Sequence, residues 1–222
     1  MKIDLKDIRK SFKKKQVLKS IDLTVESSEC IGILGSNGCG KSTLLSILAG
    51  VQRCDKGEFI CDDKNLFENP KLRSRLVGYV PQGTPLIDEL TAYDNLLLWY
   101  DKETLEKEFS EGVLKLLGIA DFLKTPVSKM SGGMKKRLSI GCAMAKHPPI
   151  LLLDEPTAAL DLDCKEKIYT YLTEYKKAGG MMLLTTHDAM ELTLCDKWYI
   201  IKDGVLKPYE YDGNVKKLLS NL

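Results

Sequence analysis

The sequence predicts an α/β fold with a parallel core sheet, an antiparallel β subdomain at the N-terminus and an α-helical subdomain inserted between core strands. Three observations carry that prediction. "CIGIL" (30–34), "ILLLD" (150–154) and "MMLLTTH" (181–187) are continuous apolar runs bordered by segments of helical spacing, the texture of strands buried on both faces. Residues 1–25 instead alternate apolar with polar, and residues 91–124 repeat their leucines at helical intervals.

Each element follows from its own residues. "KIDLKDI" and "QVLKSIDLTV" read as antiparallel strands parted by a polar turn at Lys13, Lys14 and Lys15, a solvated cluster. The strand at 30–34 runs into glycines and then "KSTLLSILAG", a helix that Gly50 stops. "GEFICDD" and "LVGYVPQ" read as further strands. The stretch 91–124 reads as helices with a break near Ser110 to Gly112, in which Leu96 to Tyr100, Val113, Leu114, Leu116 and Leu117 form the core of the insert. The strand at 150–154 is expected beside the strand at 30–34, with a helix over 162–178 leading to the strand at 181–187.

A chain of 222 residues, 44% hydrophobic, with no long linker, is large enough for one domain with a sizeable core, so 1–222 reads as a single unit with a helical part over roughly 83–147. The net charge of +2 gives no electrostatic case for a nucleic-acid partner. The N-terminal residues lack a signal-peptide core, and no run approaches the ~20 apolar residues of a spanning helix, which predicts a cytosolic chain. Cysteines 30, 39, 54, 61, 142, 164 and 195 are odd in number and without CxxC pairing, so they read as small buried hydrophobes.

The sharpest local signal is "GSNGCGKS", Gly35 to Ser42, which fits G-x-x-x-x-G-K-[ST] between an apolar strand and a helix. Glycines let backbone N–H groups turn inward around phosphate oxygens, the helix start adds its positive end, Lys41 adds a mobile charge and Ser42 offers a hydroxyl to magnesium. "ILLLDEP" places two carboxylates where ligands of such sheets bind: Asp154 to hold the metal, Glu155 to polarise a water. Taken alone, either carboxylate also reads as a cap for the next helix.

"VSKMSGGMKKRLSI" (127–140) begins a helix with two bare residues, Gly132 and Gly133, each costing about 1 kcal/mol against alanine in a helix. A reason outside the helix is expected.

Together these motifs resemble the ATP-binding-cassette (ABC) ATPase family over essentially the whole chain, with a P-loop ATPase core. Six motifs arrive in family order: the Walker A loop (Gly35, Ser36, Asn37, Gly38, Cys39, Gly40, Lys41, Ser42, with Thr43 following), the Q-loop glutamine Gln82 in "YVPQ", the signature "MSGGM", the Walker B "ILLLDE", the D-loop "AALD" ending at Asp161, and the switch histidine His187 in "TTHD". The resemblance implies ATP and Mg2+ as ligands. It makes Glu155 the base, brings Gln82 to the metal or the water, and sets His187 against the γ-phosphate. Outside this context Gln82 reads as a loop residue, and His187 as a cap or surface residue. Phe12 falls where the family stacks an aromatic on adenine; a turn aromatic closing the small core is the other reading.

The family packs two cassettes head to tail, so the resemblance implies that Ser131, Gly132 and Gly133 of one copy face the γ-phosphate held by Lys41 of another, with Asp161 acting across the same boundary. Hydrolysis is then expected to need a second ABC ATPase subunit. A transmembrane permease is the further partner implied, with export the expected direction because "VPQGTPLIDELTAYDNLLLWY" resembles ABC-2-type exporter subunits. That implies a cytoplasmic subunit peripheral on the inner membrane face. The second reading is a soluble cassette of iron–sulfur-cluster biogenesis; repair members carry a long coiled-coil insertion and translation members a second cassette, features these residues lack. The signature departs from the usual L-S-G-G-Q by Met130 and Met134. Met134 cannot return the capping-box bond that glutamine makes, and Lys135, Lys136 and Arg137 are expected to compensate with positive charge toward the phosphate.

Overall fold

The computed structural model describes residues 1–186 and 188–213. Strands β1 (Lys2–Phe12) and β2 (Lys15–Glu26) pair antiparallel across a turn that holds Lys13 at φ 55°. β3 (Cys30–Leu34) leads to helix α1 (Lys41–Ala49), which Gly50 closes in the left-handed conformation. β4 (Lys56–Cys61) and the short β5 (Lys64–Asn65) extend the antiparallel part, followed by α2 (Pro70–Leu76) and β6 (Val77–Val80).

The stretch between β6 and the next strand is helical: α3 (Ala92–Leu97), α4 (Lys102–Ser110), α5 (Val113–Leu116), 3-10 turns at Ile119–Phe122 and Val127–Lys129, and α6 (Gly132–Ala143). The expected break falls between α4 and α5. Then come β7 (Ile150–Asp154), α7 (Leu162–Lys177), β8 (Met181–Thr185), α8 (Ala189–Leu192), β9 (Lys197–Lys202) and β10 (Val205–Tyr209).

Among the described residues ten strands join one sheet in the order β5-β4-β1-β2-β10-β9-β3-β8-β7-β6. The run from β9 to β6 is parallel, β1 with β2, β1 with β4 and β4 with β5 are antiparallel, and β10 joins the two parts, parallel to β2 and antiparallel to β9. β7 does not neighbour β3 as the sequence suggested. The connection through α7 lays β8 between them, so that Thr185 pairs with Ile33 on one side and Asp154 on the other.

Strand pleating divides the core. Leu151, Leu153 and Leu184 face the helical insert, whereas Ile150, Leu152 and Leu183 face α1 and the N-terminal strands. Within the insert Leu96, Tyr100, Val113, Leu114 and Leu117 are buried as expected. Leu98, Trp99 and Leu116 are not: Leu98 and Trp99 are 57% and 59% exposed. α3 ends at Leu97, which turns the next two residues outward, and α5 packs one face only. Five cysteines are buried, Cys39 and Cys54 are partly so, and all seven are free thiols.

Candidate nucleotide site

The carboxyl end of β3 opens into the glycine loop. Gly40 holds φ 117°, and a Cβ there would lie 2.8 Å from Leu18 Cδ2, so both conformation and space demand glycine. Gly38 holds φ 77° with no atom within 4 Å of a would-be Cβ, which leaves that side of the loop open. Gly40 precedes the first residue of α1 and offers no side-chain cap. The first N–H groups of α1 therefore have no side chain to answer them, a helix start suited to an anion. Lys41 is buried and donates from Nζ to Gly35 O at 2.6 Å and Ser36 O at 3.2 Å, while the Cys39 N–H donates to Ser36 O at 3.2 Å. Gly35, Ser36 and Cys39 thus form the base of the loop, and Asn37, Gly38, Gly40, Lys41, Ser42 and Thr43 its face toward the cleft.

The ends of β7 and β8 supply the carboxylates. Asp154 is 2% exposed, and its Oδ1 accepts from Thr185 Oγ1 at 2.6 Å. Glu155 stands at φ 48°, an uncommon backbone conformation for a residue with a side chain. Its N–H donates to Thr185 O at 3.0 Å and lies 3.1 Å from Thr185 Oγ1, and its Oε2 accepts from Gln82 Nε2 at 2.9 Å. Thr185 holds both carboxylate residues, a role sequence reasoning missed although the threonine pair after an apolar run marked the place.

Loop, Gln82 and Glu155 line one cleft of about 560 Å³, within the usual range of small-molecule sites. Val17 of β2 lines it too, an apolar surface reached from the neighbouring subdomain and also missed. Ser42 and Gln82 line the cleft and carry the hard oxygen ligands magnesium takes, Asp154 is buried and does not line it, and the open glycine loop fits a polyphosphate.

The other expected residues stand apart. Phe12 is 41% exposed with Lys10 Nζ at 5.5 Å from its ring centre, and it does not line the cleft. Asp161 caps α7, its Oδ1 accepting from the Cys164 N–H at 2.8 Å, and that bond holds its carboxyl below the usual range. Ser131 caps α6, accepting from the Met134 N–H at 3.2 Å with no bond returned by Met134. None of Ser131, Gly132, Gly133 and Asp161 lines the cleft. His187 lies outside the described residues.

The two glycines differ. A Cβ on Gly132 would meet only Leu160 Cδ2 at 4.0 Å, whereas one on Gly133 would collide with Cys164 Sγ and stand 3.1 Å from Cys164 Cβ. Half the reason for the bare helix start is therefore internal packing against α7. The basic triplet does not reach toward a phosphate: Lys135 Nζ is 3.4 Å from Asp88 Oδ1, Lys136 donates to Pro81 O and Gln82 O, and Arg137 Nη1 donates to Leu117 O at 2.9 Å. Lys136 and Arg137 turn inward to backbone carbonyls, and Lys135 is paired with a surface carboxylate.

Comparison with known proteins agrees with this geometry. A family profile described as "ABC transporter" matches residues 18–158. The chain is 35% identical over 207 residues to the Nod factor export ATP-binding protein I of Sinorhizobium fredii, covering 91% of this chain and 60% of that protein. It is 36% identical over 209 residues to the spermidine/putrescine import ATP-binding protein PotA of Bacteroides fragilis, covering 91% and 45%. The chain thus spans about half the length of these relatives. Among solved structures, an ATP-binding cassette in a dimeric post-hydrolysis state with ADP and Pi superposes with a TM-score of 0.82 at 29% identity, covering 94% of this chain and 98% of that one. With a matching profile over residues 18–158 and a phosphate loop that shares its cleft with Gln82 and Glu155, the chain belongs to the ABC transporter family, among its ATP-binding cassette ATPases.

Proposed function

We propose that the chain is the ATP-hydrolysing subunit of an exporter, acting as a dimer of cassettes beneath a separate transmembrane permease on the cytoplasmic face of the membrane. The observation that carries it is the divided site: loop, Gln82 and Glu155 share one cleft, while Ser131 to Gly133 lie off it on an open helix start. A second cassette, homologous or identical, brings its own Ser131 and glycines to the γ-phosphate. Within each cleft the loop N–H groups and Lys41 hold the phosphates, Gln82 orients Glu155, and Glu155 Oε2 takes the proton of the attacking water. His187 completes the γ-phosphate contacts. Ser42 and Gln82, with Asp154 directly or through water, would hold Mg2+, which would supply charge neutralisation at the phosphate oxygens.

For the permease, the chain offers an apolar groove of about 290 Å³ lined by Val77, Tyr79, Leu86, Trp99 and Pro148, beside the exposed Leu98. A short helix of the membrane partner fits such a groove. The stretch after Gln82, which resembles exporter subunits, supports export over import. Detergent-solubilised membranes test the whole reading: the chain should copurify with an integral membrane protein of about six apolar spans, and Trp99→Glu should release it. Recovery with soluble scaffold proteins alone overturns it.

A further inference from the structure

Lys136, like Lys135 and Arg137, does not reach toward a phosphate, and its placement is unusual. Its side chain is 4% exposed, and Nζ donates to Pro81 O at 2.8 Å and Gln82 O at 3.0 Å. Those carbonyls belong to the segment that leaves β6, where no strand or helix partner answers them. Burying an ammonium is unfavourable, and a methionine would fill the same space without that penalty. What lysine adds is a fixed bond from α6 to the Gln82 backbone.

The chain of contacts continues in both directions. Gln82 Nε2 reaches Glu155 Oε2 at 2.9 Å. Ser131, at the cap of the same α6, stands little more than one turn from Lys136. A helix is stiff over that length, so a displacement at its cap moves Lys136 and with it the backbone of Gln82.

We infer that Lys136 is a positioning residue that couples the two nucleotide sites of the dimer: nucleotide met by Ser131 to Gly133 is registered, through α6 and Gln82, at this chain's own Glu155. The inference rests on the proposed reading of Ser131 to Gly133 as the contact to the partner's nucleotide. Its chemistry is distinct from that reading, because a dimer without this link still closes on ATP yet fires each site independently.

The test compares the parent, Lys136→Met and Lys136→Arg by ATP-dependence of hydrolysis, by ATP binding to the isolated chain and by dimerisation of each in a Glu155→Gln background. Coupling predicts unchanged ATP affinity and dimerisation for Lys136→Met, about a tenfold lower kcat, a Hill coefficient that falls toward one, and recovery of both by arginine. A Hill coefficient equal to the parent's overturns the coupling, whatever happens to kcat. If no ATP-driven dimer of the Glu155→Gln chain forms, the reading beneath it falls and the inference with it.

A second measurement needs no change at Lys136. In a mixed dimer whose one copy carries Lys41→Ala, that copy has no nucleotide of its own and meets only its partner's. Hydrogen exchange at the Gln82 and Gly83 amides of that copy should slow on ATP addition. Exchange unaltered there, in a dimer that has formed, overturns the link.

Discussion

The two signature glycines give opposite expectations for the same substitution. In Gly132→Ala the new methyl meets only Leu160 Cδ2 at 4.0 Å. The helix-propensity gain, about 1 kcal/mol or less at this first position, then stands unopposed. In Gly133→Ala the methyl collides with Cys164 Sγ and presses Cys164 Cβ at 3.1 Å. Overpacking of that kind costs about 1–3 kcal/mol, which exceeds the propensity gain. Thermal unfolding of the isolated chain without nucleotide should therefore move up by ~2–4 °C at most for Gly132→Ala and down for Gly133→Ala. Removing the obstacle with Cys164→Ala in the Gly133→Ala background should restore much of the loss. ATP-driven dimerisation should separate from stability, because the sturdier Gly132→Ala chain carries a methyl on the open face proposed to meet the partner's nucleotide. Equal melting shifts for the two variants, or no rescue by Cys164→Ala, would refute the argument that one glycine serves packing and the other contact.

Four further outcomes are expected. Glu155→Gln should lower turnover by about a hundredfold or more and accumulate an ATP-bound dimer on size exclusion, whereas turnover like the parent's removes Glu155 from the role of base. Lys41→Ala should abolish ATP binding in a filter or fluorescence assay, since the loop loses its one buried ammonium. Met134→Gln supplies the missing arm of the capping box and should stabilise the chain by about 1 kcal/mol or less in denaturant unfolding. Asp161 has its carboxyl held low by the Cys164 N–H, so its charge stabilises the fold above the unfolded carboxyl range, near pH 4, and that stability is lost as pH falls through the folded value. The stability difference between the parent and Asp161→Asn, which keeps the cap and drops the charge, should be present at neutral pH and vanish in acid.

Much of the fold was legible because strand and helix signals are local. β3, β7 and α1 fall within a residue or two of the apolar runs that announce them. Strand order was less so: the place of β8 between β3 and β7 depends on how α7 packs, a contact that no single segment encodes. In the site, the phosphate loop and Glu155 were readable from spacing, whereas Val17 and Thr185 enter through neighbours far away in sequence. Lys136 shows the limit best. A lysine in a basic run reads as solvated charge, and only the position of Pro81 and Gln82 beneath α6 reveals it as a buried donor.

Glu155 illustrates how selection for sturdiness and selection for turnover diverge at one residue. A positive φ at a residue with a side chain holds about 1–3 kcal/mol of strain that glycine would not feel. Glycine at 155 would relax the turn, remove the carboxylate and yield a calmer, inert chain. A library screened for thermal tolerance alone would drift toward that outcome, and the residue proposed as the base would be among the first it discards.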